Sequence, residues 1–139
     1  MSLLHQQIAN WLGVRPFRTE GQMLQIVEQQ LPTSAIHKLL ALGLTRPEID
    51  ALVIPLRTLQ HRRSKREKLT VEESDRVLRV VRLLSQAEAV YGSRERALEW
   101  LRRPMSRLQK RVPLDLMRTD TGARIVEDLL VQIDEGMFV

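Results

Sequence analysis

Apolar positions recur every three or four residues along most of the chain, and alternation long enough for a strand is absent, so the pattern predicts an all-α protein. Leu4, Ile8, Trp11 and Leu12 form a first amphipathic stretch closed by Gly13. Leu24, Val27 and Leu31 form a second, closed by Pro32, and Ile36, Leu39 and Leu40 a third, closed by Gly43. Thr45 and Glu48 then stand at capping-box spacing, where the hydroxyl accepts from the N3 amide and the carboxylate from the cap amide. The spacing predicts a short helix from about 46 to 53 that buries Ile49, Leu52 and Val53. After Ile54 and Pro55, the stretch LRTLQHRR predicts a further helix with Leu56 and Leu59 turned inward.

Thr70 and Glu73 repeat the capping-box spacing and open the longest predicted helix. On it Val77, Val81, Leu84 and Tyr91 trace one apolar line, and Val80, Leu83, Ala87 and Val90 its neighbour. Arg76, Arg79, Arg82 and Gln86 mark the opposite side, expected to be solvated or to face a partner. Gly92 stops this helix, and Ser93 caps the next, which points Ala97, Leu98 and Leu101 inward and ends by Pro104. MSRLQKRVPLDLM reads as a connecting stretch. A last helix places Ile125, Val126, Leu129, Leu130 and Ile133 on one face, with Gly136 just beyond. The cationic run RRSKREKLT, residues 62–70, is the best boundary, which divides the chain into an N-terminal region 1–66 and a C-terminal region 67–139.

A chain of 139 residues that is 43% hydrophobic and 28% charged is expected to fold as one domain or as two small helical ones. Aromatics contribute only 4%, so the core must be largely aliphatic. No cysteine is present, which excludes disulfides and thiolate chemistry and fits a cytoplasmic location. The N-terminus has no signal-peptide pattern and no stretch approaches the ~20 apolar residues of a membrane span, so no membrane partner is expected. The net charge of +5 makes an anionic partner plausible.

That charge acquires a location in the fifth stretch. TRPEIDALV and LRTLQHRR, joined by IP, have the proportions of a helix-turn-helix whose second helix enters the DNA major groove. Arg57, His61 and Lys65 fall on one outward line, and Thr58 and Arg62 on the next. Arginine can bond guanine bidentately, threonine offers a hydroxyl or methyl, and lysine and further arginines such as Arg63 neutralise phosphates. A basic solvated helix in a bundle is the competing reading.

Catalytic patterns are weaker. His5, His37 and His61 are scattered without the spacing of a helical metal site, and there is neither a Gly-rich phosphate loop nor a nucleophile motif. No enzyme, cofactor or metal is therefore expected. Residues 112–139 carry two basic and six acidic side chains, a net charge of −4, so the basic character lies upstream.

Read in order, RTL at 57–59, EESDR at 72–76, EWLRRP at 99–104, PLDLM at 113–117 and TDTGARIVEDLL at 119–130 resemble the Xre/MbcA/ParS antitoxins of bacterial type II toxin-antitoxin pairs. The resemblance spans about residues 36–136. It implies an N-terminal Xre-like helix-turn-helix, a C-terminal toxin-binding domain, a RES-domain toxin that consumes NAD as partner, an oligomeric state, and repression of the antitoxin's own operon. One departure is local: where relatives often carry a Gly-containing turn before PLDL, this chain has LQKRVPLDL. With that partner supplied, Asp134, Glu135, Met137, Phe138 and Val139 become candidate toxin contacts, because a terminal segment can reach into a cleft that a rigid helix cannot. A homodimer or larger assembly is expected, with Leu4, Ile8 and Trp11 at its contact. The alternative is a stand-alone helix-turn-helix regulator whose C-terminal helices dimerise it.

Overall fold

The computed structural model describes residues 3–136. Its order is α1 (Leu3–Leu12), α2 (Glu20–Glu28), α3 (Ala35–Ala41), α4 (Arg46–Leu52), α5 (Leu56–Ser64), α6 (Val71–Tyr91), α7 (Arg94–Leu101), a 3-10 turn (Ser106–Leu108), α8 (Pro113–Leu116) and α9 (Asp120–Asp134). Among the described residues there is no strand, only an isolated antiparallel bridge between Met105 and Arg111. The architecture is all-α, as the periodicity predicts.

The chain divides into two compact units, Met1–Val81 and Arg82–Val139, and α6 contributes its first half to one and its second half to the other. The division expected between 66 and 67 lies inside the first unit. The cationic run is stitched down rather than free. Leu69 is fully buried, its amide donates to the Leu31 carbonyl at 2.9 Å, and its own carbonyl accepts from Gln30 Nε2 at 3.1 Å. Polarity marked this segment as a linker; one backbone bond, one side-chain bond and one leucine make it part of a core.

In the first unit, α1 packs on α3 and α3 on α4. Ile8, Leu39, Ile54 and Val77 are among its fully buried side chains. Both predicted capping boxes form: Thr45 Oγ1 accepts from Glu48 N while Glu48 Oε1 accepts from Thr45 N, and Thr70 and Glu73 repeat the exchange. Gly13 and Gly43 take positive φ just after α1 and α3, the conformation that a helix stop demands and glycine adopts without a Cβ clash.

Three inward expectations fail. Leu24 is 57% exposed although Val27 and Leu31 of the same expected stripe are buried: within α2 the inward line runs through Met23 and Val27, and Leu31 is buried beyond the helix end at Glu28. Leu56 is 41% exposed: it is the first residue of α5 and rims a shallow apolar depression lined also by Leu40, Ile49 and Leu59, while Leu59 alone on that helix is buried. Ile125 is 43% exposed, since α9 buries the stripe Gly122, Val126, Leu129 and Leu130, on whose flank it falls. The helix expected to reach 53 ends at Leu52.

In the second unit, α7 and α9 both pack on α8. Ser93 Oγ caps α7 through Arg96 N, and Thr119 Oγ1 caps α9 through Gly122 N. The stretch read as a plain connection carries its own structure. Met105 N donates to Arg111 O, Lys110 N to Met105 O, and the loop closes through Gln109 and Lys110, both at positive φ. A Gly-containing turn would place its glycine in this backbone region; here two side-chain-bearing residues occupy it.

Candidate functional site

The second helix of the helix-turn-helix is α5, and three contacts fix it. Val53 and Ile54 are buried in the turn, where Arg76 Nε reaches back from α6 to the Val53 carbonyl at 2.9 Å. Pro55 has no N–H to leave unpaired, and the first amide of α5, that of Leu56, donates to Asp50 Oδ1 of α4 at 2.9 Å. The far end is held by Glu73, whose carboxylate accepts from Arg62 Nε at 2.9 Å and Arg62 Nη2 at 3.0 Å in a bidentate pair. Glu73 Oε1 also accepts the Thr70 amide at 2.8 Å, so one side chain caps α6 and clamps α5.

The Glu73 side chain is only 6% exposed. Burial pushes its pKa up, but the hydrogen bonds from Arg62 and Thr70 and the guanidinium charge outweigh it, and the carboxyl sits below the ordinary carboxylate value. The same hydrogen bond raises Arg62, which also lies 3.8 Å from Glu67.

The structure therefore separates the six residues proposed for a DNA-facing surface. Arg57, His61, Arg63 and Lys65 are exposed, and Thr58 is half-buried. Arg63 Nη2 lies 3.2 Å from His37 Nε2, to which it donates. Arg62 is half-buried and turned toward α6, so its guanidinium is committed to Glu73. Sequence spacing placed it on an outward line because the carboxylate that takes it lies eleven residues on, in another helix.

Arg76, expected to be solvated or to face a partner, secures the turn instead. Further along the same helix Arg79 pairs with Asp75 at 3.6 Å, and Gln86 Nε2 donates to Glu127 at 3.5 Å. Of the proposed dimer contacts, Ile8 is fully buried in its own unit, while Leu4 and Trp11 are half-buried. Asp134 and Glu135 are exposed at the end of α9; Met137, Phe138 and Val139 lie outside the described residues.

One residue without an expected role governs the second unit. A Cβ on Gly122 would sit 1.9 Å from the Leu116 carbonyl oxygen and 2.8 Å from its carbon, so α9 begins pressed against the end of α8 at a distance only glycine permits. The signal was present as the glycine of TDTGAR, in the first turn of a helix where alanine would ordinarily be favoured. Among the described residues, no group of three or more His, Asp or Glu is placed to hold a metal ion, and no helix is long and apolar enough to cross a membrane.

Fold and site together define a helix-turn-helix protein with an appended helical module. Residues 22–82 match the family model of the antitoxin Xre-like helix-turn-helix domain, and residues 86–136 that of the antitoxin Xre/MbcA/ParS C-terminal toxin-binding domain. The chain belongs to the Xre family of antitoxins. "Antitoxin Xre" of Pseudomonas putida is 39% identical over 99 residues, covering 71% of this chain and 62% of the relative. "Antitoxin Xre" of Yersinia enterocolitica is 37% identical over 91 residues, 65% of this chain and 62% of the relative. The "Prs ADP-ribosylating antitoxin" of Sphingobium is 31% identical over 98 residues, 64% of this chain and 62% of the relative. The chain thus spans less than two thirds of the length of these relatives.

Proposed function

We propose that this chain is an antitoxin that binds and neutralises a RES-domain, NAD-degrading toxin and represses its own operon by binding operator DNA. The observation that carries the reading is the union, in one chain, of a helix-turn-helix with an outward basic face and a module matching a toxin-binding domain. Arg57, Thr58 and His61 read base edges, Arg63 and Lys65 meet phosphates, and Arg62 holds the helix that presents them. The Sphingobium relative's name supports an NAD-linked partner, because ADP-ribosylation draws its group from NAD.

Toxin binding falls to the second unit. Asp134 and Glu135 approach cationic groups that hold the NAD phosphates, while Met137, Phe138 and Val139 supply apolar anchors at the cleft. The assembly is a homodimer or larger, since one nine-residue recognition helix covers too little DNA for tight specific binding. The cytoplasm, where NAD and the operon both reside, is the place of action.

The test is isolation of the native complex from cells expressing the chain with its neighbouring gene, followed by mass measurement and promoter-DNA binding. A co-purifying RES-domain protein and a retarded promoter fragment are expected. A chain that purifies alone and shifts the fragment unaided would favour the stand-alone regulator, for which Ile125 and Val131, exposed on α9, offer a dimerising surface.

A further inference from the structure

The basic character does not end with the helix-turn-helix. Between Glu99 and Asp115 the sequence holds no carboxylate but carries Arg102, Arg103, Arg107, Lys110 and Arg111, and all five are exposed. They sit on a loop with a defined backbone. Met105 and Arg111 form an antiparallel bridge, Ser106–Leu108 make a 3-10 turn, and Lys110 N donates to Met105 O at 2.8 Å. Closing the loop requires Gln109 at φ 55°, ψ 42° and Lys110 at φ 65°, a region that disfavours side chains and suits glycine. Both of these positions carry side chains, and one of them is a cation.

We infer that this loop is a second nucleic-acid contact, binding the phosphodiester backbone independently of sequence. Four of the five cations are arginines, whose forked guanidinium matches phosphate oxygens. None of the large apolar side chains exposed among the described residues lies on the loop, and Met105 and Leu108 are half-buried, so the surface it offers a partner is cationic rather than apolar. An ordered loop also presents its charges with less entropy left to lose than a flexible tail would. Arg102 and Arg107 have interactions of their own within the chain and the Arg103 charge acts on Tyr91, so the argument rests first on Lys110 and Arg111, with Arg103 an exposed charge beside them. The inference builds on the DNA-binding reading above but assigns a different surface.

The experiment measures binding of the full chain to a labelled promoter duplex and to a random-sequence duplex of equal length, across a salt series. It compares the parent with the triple variant Arg103→Gln, Lys110→Gln, Arg111→Gln, with Lys110→Gly, and with Arg57→Ala. The triple variant is expected to weaken binding to both duplexes and to flatten the salt dependence by about 0.9 in slope for each phosphate no longer neutralised, up to roughly 2.7. Lys110→Gly, which relieves the backbone while removing one charge, is expected to melt higher yet bind both duplexes more weakly, which separates charge from folding. Arg57→Ala should instead erase the preference for the promoter. Unchanged slopes in the triple variant overturn the loop contact while leaving the helix-turn-helix reading intact. No promoter preference in the parent, with weaker random-duplex binding in the triple variant, overturns the helix-turn-helix reading and keeps the loop. Unchanged DNA binding with loss of the co-purifying toxin overturns the inference in favour of a protein contact.

Discussion

Replacing Glu73 with glutamine removes the charge that clamps α5 to α6 while preserving shape. In the native chain its carboxylate accepts three hydrogen bonds of 2.8 to 3.0 Å, two from Arg62 and one from the Thr70 amide. A glutamine can keep the amide bond but must turn its NH2 toward a guanidinium that has only donors. Hydrogen bonds to charged groups contribute about 1.5–3 kcal/mol each, and breaking a fully buried pair costs about 3–5 kcal/mol. The Arg62 side chain is 19% exposed and can regain water, so the expected loss lies near the low end, about 2–3 kcal/mol. The acid dependence has a definite sign. A carboxyl held below its ordinary value contributes stability that is present above the unfolded pKa, about 4.5, and is lost as pH falls through the depressed folded value. Urea unfolding of the parent and Glu73→Gln should therefore show a gap at neutral pH that narrows steadily below about pH 4.5. A double-mutant cycle with Arg62→Ala should return most of the loss as coupling. A gap that stays constant down to about pH 2.5, or the absence of coupling, would refute the clamp.

Gly122→Ala should destabilise the second unit by about 1–3 kcal/mol in thermal unfolding, because overpacking against the Leu116 backbone outweighs the ~1 kcal/mol that alanine gains within a helix; a raised melting point would contradict this. Gln109→Gly should raise the melting point by relieving a left-handed residue, an effect of about 1 kcal/mol, and a lower one would show that the Gln109 side chain holds the loop. Arg57→Ala should cost about 1–3 kcal/mol in promoter affinity and relax preference at one base pair, whereas Arg62→Ala should act through α5 stability and lower melting and affinity together. Deleting 134–139 should leave the melting point within a degree or two and release NAD loss by the co-expressed toxin; full inhibition after the deletion would move the contact to the helices.

The elements that were legible in the sequence are those whose signals are local. Two capping boxes, each spanning four residues, located the starts of α4 and α6, and both formed. Glycines 13, 43 and 92 ended helices where expected. What was hidden depended on partners distant along the chain. Leu24 looked buried from its three-residue spacing to Val27, yet α2 turns Met23, four residues before Val27, inward instead. Arg62 looked like a free cation until α6 brought Glu73 beside it, and Arg76 looked solvated until the α4–α5 turn offered the Val53 carbonyl. The cationic run at 62–70 read as a boundary by charge alone, yet Leu69 anchors it. Gly122 was visible as a letter; the carbonyl that makes it necessary belongs to another helix.

The most direct test of the account is intracellular NAD in cells expressing the proposed RES-domain partner with this chain. NAD should stay at the level of toxin-free cells with the parent chain, and stay there equally with Arg57→Ala, whose change lies in the helix-turn-helix unit. With Gly122→Ala, which disturbs the module matching the toxin-binding domain, NAD should fall. NAD depleted in the presence of the parent chain, or protected by Gly122→Ala and lost with Arg57→Ala, would contradict the assignment of toxin control to residues 86–136.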